Sequence, residues 1–371
     1  MSPPRSFALI FGAQFLGFGA MMPFLPAILA DGGLTSGQVG AVMAAGSLVR
    51  LIAAPLGGRL ADRAGDVRRV LAAASLIAAA CAAGYGLAAG LALLLAVQVL
   101  HSIAVAPVVP LSDALAVGAV RAGNFDYARV RAAGSITYIF GAVLAGQAVG
   151  WGGPRMAAWI LSAAMVVTAF AALQLPATPH EAKHAATGSL WAPLREPAFR
   201  RILPIAALIQ GSHAVYYAFS TLHWRAAGLS TGLIGVLWGL GVVSEVLLFL
   251  YGRHFADRMG VRGLALLAAA AGVLRWSVTA ATSDPAVLVA IQLLHGATFG
   301  AMHLATMRAL LGLPHGLSAR AQTLVASGVG ASMGALMWTS GALYAWTGGT
   351  AFFAMALLCA IGFILALRIP D

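Results

Sequence analysis

Apolar residues run along this chain in long blocks, each closed by a short polar or charged stretch. A bilayer core needs about 20 apolar residues per helix, and twelve runs of suitable length predict helices over 7–30, 37–61, 69–88, 91–119, 129–150, 155–175, 202–225, 230–252, 263–281, 286–311, 319–343 and 349–368. The one long polar connection, 176–201, contains His180, Glu181, Lys183, His184, Pro193 and Pro197 and parts six runs from six. The expected organisation is therefore an N-terminal six-helix bundle over 1–175, a cytoplasmic linker over 176–201 and a C-terminal six-helix bundle over 202–371.

Composition agrees with the block pattern. Hydrophobic residues make up 61% of the 371 residues and charged ones 9%, with a mean hydropathy of +0.90, which is too little polar surface to cover a water-soluble globule. A net charge of +11 raises nucleic acid as a partner, but the basic residues fall on alternate connections, as the positive-inside rule expects of a membrane protein. With the N-terminus inside, Arg155 and Arg225 face out, Arg50 and Arg275 lie inside apolar runs, and the remaining eighteen of 22 basic residues are cytoplasmic. The chain is expected to be multi-pass in a bacterial cytoplasmic membrane, with both termini cytoplasmic, and to act as a monomer without nucleic acid.

The first run flows straight into the second and is long for a signal-peptide core, so it is read as an uncleaved helix. Cys81 and Cys359 both fall in apolar runs and are read as small packing residues. Glycines concentrate within runs, as at Gly134, Gly141 and Gly146, where small residues let membrane helices approach closely. Pro107 and Pro110 should bend or unwind the fourth run.

A charged turn occurs twice, as Gly58-Arg59-Leu60-Ala61-Asp62-Arg63-Ala64-Gly65 and as Gly252-Arg253-His254-Phe255-Ala256-Asp257-Arg258-Met259-Gly260. Paired Asp-Arg-x-Gly turns, twelve runs in two halves and a central loop resemble the major facilitator superfamily over the whole chain. The resemblance implies an all-α fold of two pseudo-symmetric six-helix bundles. It also implies a cytoplasmic gating motif formed by Gly58, Asp62, Arg63 and Gly65 and by Asp257, Arg258 and Gly260, in which Asp and Arg pair with neighbouring helix ends and Gly permits the bend.

A narrower likeness spans Asp113 to Gly134, including Asn124-Phe125-Asp126-Tyr127-Ala128-Arg129-Val130-Arg131. It is similar to the fourth and fifth helices of the lactose permease group and places Asp113 and Arg131 on that group's substrate-binding pair. Tyr138, seven residues past Arg131 and on nearly the same helix face, falls where sugar permeases keep an aromatic against the substrate ring. The residues alone leave a second reading open, an ion pair stapling two helices with Tyr138 as packing.

In the C-terminal half, Glu245, Arg275 and His295 occur inside apolar runs. There an uncompensated charge costs about 2.5 to 3.5 kcal/mol on insertion scales, and such groups persist when paired or working. The spacing from Arg275 to His295 resembles the proton-coupling network of the lactose permease group. That group's acid one turn after the histidine is replaced here by Thr298, which leaves Glu245 as the only acid in the C-terminal runs and the expected proton carrier. A permanent Glu245–Arg275 pair is the structural alternative. The stretch 292–303, with Ser244-Glu245 and Leu274-Arg275-Trp276, looks most like the phenylpropionate permease branch.

His303 follows His295 by about 80° round an ideal helix, so both are candidates to border one cavity. Arg50 has no acid at short helical spacing and needs a partner from another helix or a negatively charged substrate. Gln14, Tyr216 and Tyr217 lie at cavity depth, although packing is their commoner role, and His101, His213 and His223 are read as interhelical hydrogen-bonders.

No metal-ligand, nucleophile-elbow or ATP-binding pattern is present in the sequence, so no enzyme, metal or cofactor is expected and energy is expected from a proton gradient. The expectation is proton symport of a small organic solute, an aromatic acid or sugar-like ring. Glu245, Arg275 and His295 would couple the proton, and Asp113, Arg131, Tyr138, Arg50, His303, Gln14 and Tyr216 would contact the solute. A proton-antiport exporter and a solute-binding membrane receptor without transport are the alternatives.

Overall fold

The computed structural model of the chain describes residues 3–121, 127–175, 189–314 and 317–370. Most of the central connection, with His180, Glu181, Lys183 and His184, lies outside the described residues, as does Asn124-Phe125-Asp126. Among the described residues every regular element is a helix. Eleven stretches are long and apolar enough to cross a membrane, and the last, Arg320–Ala366, is 47 residues long.

The first half contains α1 (Pro3–Asp31), α2 (Ser36–Ala64), α3 (Val67–Leu87), α4 (Leu91–Val105), α5 (Val108–Arg121), α6 (Tyr127–Gly152) and α7 (Met156–Leu173). The second contains α8 (Pro197–Gly211), α9 (Ala214–Ala226), α10 (Thr231–Tyr251), α11 (Arg253–Ala281), α12 (Pro285–Gln292), a π turn at Gly296–Gly300, α13 (Ala301–Leu311), α14 (Ser318–Thr347) and α15 (Ala351–Ala366). The chain divides into two compact units: Met1–Lys183 with Gly228–Gly239, and His184–Ala227 with Leu240–Asp371.

Local chemistry explains the helix boundaries. Thr35 and Gln38 form a reciprocal capping box at the start of α2, which satisfies backbone donors that have no intrahelical partner. Asp66 caps α3 by accepting from the amides of Arg68 and Arg69 at 3.1 and 3.4 Å. The side-chain bond from Arg68 holds the Asp66 carboxyl down at about 2, so this cap stays ionised at any physiological pH. Helix α8 begins at Pro197, five residues before the expected span, because proline suits the first helical position, where its missing N–H leaves nothing unsatisfied.

Three apolar runs are interrupted. The fourth breaks between α4 and α5 at Ala106–Pro107, as the prolines predict. The seventh breaks between α8 and α9 without a proline. There Ser212 Oγ donates to the Ile209 carbonyl at 2.7 Å, and His213 Nδ1 meets the carbonyls of Ile209 and Gln210 at 3.2 Å each, so side chains compete with the backbone ladder. The tenth carries the π turn, where the Gly296 amide donates to Ser244 Oγ on α10 at 2.9 Å.

Gly65 and Gly260 close the two charged turns with φ of 67° and 63°, the left-handed region in which glycine carries no steric penalty. In the second copy Asp257 pairs with Arg308 at the end of α13. Arg63 and Arg258 are exposed, and Gly58 lies near the end of α2 with open space beside it.

Helices α1 and α6 interlock through glycine. A methyl group on Gly19 would fall on the Tyr138 carbonyl, and one on Gly141 on the Leu16 carbonyl. Gly141→Leu is therefore expected to destabilise the first unit by about 1 to 3 kcal/mol, the usual cost of overpacking, read as a lower thermal unfolding midpoint in detergent. An unchanged midpoint would show that the two helices can part without loss. In the second unit Phe199, Ile202, Leu264, Met302 and Leu324 belong to the buried core, while Trp346 and Leu357, like Ile77 and Phe140 of the first unit, are exposed, as lipid-facing residues are.

Candidate functional site

Arg275, on α11, is 1% exposed, and its guanidinium organises the second unit's polar centre. Nη1 lies 3.0 Å from His295 Nδ1, 3.2 Å from Thr298 Oγ1 and 3.4 Å from His213 Nε2, while Nη2 donates to Gln292 Oε1 at 2.7 Å. The cation also faces the rings of Trp276 and Tyr216, at 4.5 and 4.8 Å from their centroids. The cluster draws on the broken seventh run, on α11 and on the interrupted tenth run.

These contacts determine histidine tautomers. Arginine only donates, so His295 Nδ1 must accept and the ring proton of neutral His295 sits on Nε2. That nitrogen lies 3.8 Å from Glu245 Oε2, longer than a direct hydrogen bond. By the same logic His213 carries its proton on Nδ1, facing backbone carbonyls, and offers Nε2 to Arg275. Protonating either ring at the nitrogen facing Arg275 would set donor against donor.

The helix break, the π turn and two glycines shape this centre. Gly241 lets α10 close on His295, since a methyl there would stand 3.3 Å from the imidazole. Gly296 likewise admits the backbone of Ser244 and Glu245, and the Ser244 hydroxyl both donates to the Gly241 carbonyl at 2.7 Å and accepts from the Gly296 amide. Glu245 is thereby held against His295, with its side chain 21% exposed. The expected direct pairing of Glu245 with Arg275 is replaced by a line in which His295 stands between them.

His303 does not share this centre. The π turn between the two histidines breaks the ideal 3.6-residue register. His303 lines a separate cavity of about 380 Å³ together with Gln210, Phe299, Thr306, Gln322 and Met333. Gln210 Oε1 is buried without a partner. Tyr216 and Gln14, expected beside the solute, are instead enclosed at 3% and 0% exposure: Tyr216 walls Arg275, and Gln14 donates to Ser112 Oγ at 2.7 Å.

In the first unit Asp113 accepts from the Tyr127 hydroxyl at 2.9 Å. Arg131 lies over Phe15 at 4.3 Å and Phe11 at 5.7 Å. The Tyr127 hydroxyl bridges the two, hydrogen-bonded to Asp113 and to Arg131, whose charges act on each other, although a direct Asp113–Arg131 contact is not among the described ion pairs. Tyr138 directs its hydroxyl to Met22 Sδ at 3.4 Å. Arg50 is exposed on α2.

Gln292, Thr298 and His213 join the centre beyond the residues expected to couple protons. Gln292 and His295, one turn apart in an otherwise apolar run, carried a signal of a shared polar face, whereas nothing near His213 in sequence points to Arg275. Among the described residues no group of three His, Cys, Asp or Glu side chains is arranged to hold a metal ion.

Residues 7–355 match the MFS_1-like family. The chain is 31% identical over 362 residues to the probable 3-phenylpropionic acid transporter of Escherichia coli (strain K12), covering 95% of this chain and 94% of that one. It is 31% identical over 286 residues to the maltose permease of Geobacillus stearothermophilus, covering 75% and 71%. Among solved structures it is similar to the nucleoside transporter NupG, with a TM-score of 0.84 at 18% identity over 100% of this chain and 98% of that one.

Proposed function

The chain belongs to the MFS_1-like family and is a membrane transporter of the major facilitator type, and from that premise we propose that it couples inward proton flow to uptake of a small aromatic carboxylate. The single observation carrying this reading is the line Glu245–His295–Arg275 within membrane-spanning helices. Ionised Glu245 balances Arg275 across the His295 ring. Protonated Glu245 leaves the cluster with one uncompensated positive charge, which is costly in a low-dielectric interior. A carboxylate bound in the same membrane interior offsets that added charge, so each species favours binding of the other, as thermodynamic linkage requires.

The ring component of the proposal rests on the Escherichia coli relative, whose printed substrate is 3-phenylpropionic acid. Two helices, α14 and α15, share the 47-residue last stretch, which supports twelve crossings, six in each half. The basic residues on alternate connections support a bacterial cytoplasmic membrane with both termini inside. We take the working unit to be a monomer driven by the proton gradient alone.

The test is initial-rate uptake of labelled 3-phenylpropionate by proteoliposomes under an imposed inward proton gradient, compared with protein-free liposomes because the neutral acid crosses lipid unaided. Symport gives gradient-stimulated uptake above that background together with proton influx. Stimulation only by an outward gradient would make the protein an exporter, and binding without flux would make it a receptor.

A further inference from the structure

Arg275 cannot also hold the solute, because it is sealed and its donors are engaged by Gln292, His295, Thr298 and His213. Arg50 differs on every count. It lies midway along α2 and keeps an exposed surface. Among the described residues it has neither a carboxylate partner nor any other hydrogen-bond acceptor. An arginine in a membrane-spanning helix with no counter-charge is costly and marks a working site.

The groups on which its charge acts are polar and neutral. The Arg50 charge acts on the Tyr85 hydroxyl and on the His101 ring. Tyr85 is hydrogen-bonded to Gln98 and stands edge-on to His101 with centroids 5.5 Å apart. His101 is 5% exposed and Ser102 fully buried, and both His101 Nε2 and Ser102 Oγ lack a partner. Gly46, one turn before Arg50, permits the close approach of α2 to Gln98 and Ser102. The Arg50 charge thus acts on neutral groups of a polar cluster in which two buried atoms lack partners.

We propose that Arg50, backed by His101, is the anchor for the carboxylate of the transported solute. Guanidinium presents a planar fork that matches a carboxylate through two parallel hydrogen bonds. A single positive charge among neutral partners balances a monoanion, whereas a dicarboxylate or phosphate dianion would leave excess negative charge in a poorly solvated site. The inference rests on the reading of the chain as a carrier of small organic acids and adds where the acid group binds.

The experiment measures binding to purified protein in detergent, with no proton gradient, using 3-phenylpropionate and its uncharged amide, 3-phenylpropionamide, as probes. Wild-type protein is expected to bind the acid more tightly than the amide. Arg50→Gln should weaken the acid about 10- to 100-fold, the range of a charge-assisted hydrogen bond, and leave the amide unchanged. Arg50→Lys keeps the charge but loses the fork, and should weaken the acid several-fold with no effect on the amide; it decides the matter if the glutamine variant does not fold. Equal weakening of both probes, an unaltered affinity for the acid, or no preference for the acid in wild-type protein overturns the proposal. Failure here leaves gradient-driven uptake through Glu245 intact, while an uncoupled carrier would still show the Arg50 effect, so the two readings fail separately.

Discussion

Glu245→Gln is expected to abolish the stimulation of uptake by a proton gradient while preserving exchange of labelled for unlabelled solute at equal pH. Each pH unit is worth about 1.36 kcal/mol per proton, so a gradient of about two units offers a driving ratio of about 100. A carrier unable to take the proton forfeits all of it, and the steady-state accumulation ratio should fall from a ceiling of about 100 to about 1. Glutamine keeps an acceptor oxygen for His295 Nε2 and nearly the same volume, so packing against the π turn survives and the effect isolates the lost titration. Normal stimulation in this variant would remove Glu245 from the coupling chain.

Arg275→Lys is expected to damage both fold and function. An ammonium donates from a single point and cannot reach Gln292 Oε1 and His295 Nδ1 from opposite arms as the guanidinium does. Hydrogen bonds between membrane helices are worth about 0.6 to 1.7 kcal/mol each, so loss of most of the four contacts should lower stability by about 3 kcal/mol. Without Nη1 the His295 tautomer is no longer imposed, and the Nε2 proton that faces Glu245 is free to move to Nδ1. Gradient stimulation should therefore fall to near 1 even at temperatures where the variant remains folded. Wild-type stimulation would show that positive charge alone, rather than the fork, sustains coupling.

Several features were legible before any coordinates. Blocks of apolar residues announced the membrane helices, Pro107 announced the break in the fourth run, and the paired Asp-Arg-x-Gly turns announced the glycines at positive φ. Rare ionisable residues in apolar runs singled out Glu245, Arg275 and His295. Other features were hidden. Ser212 and His213 gave no sign of interrupting the seventh run. The π turn that separates His295 from His303 depends on Ser244, a residue 52 positions away in sequence that captures the Gly296 amide. Asp113 and Arg131 matched a spacing in which they would meet, but nothing in that spacing told that Tyr127 would bridge them.

The amino-acid order by itself determined that this protein lies in a bilayer as a bundle of long helices, because hydropathy is a local sum over some twenty neighbouring residues and needs no partner to be read. The tertiary structure alone decided which polar groups meet, since a hydrogen bond between helices depends on their rotation, their breaks and the glycines that let them touch. For that reason His295 stands between Glu245 and Arg275, and the Arg50 charge acts on His101 with no acid paired to it among the described residues.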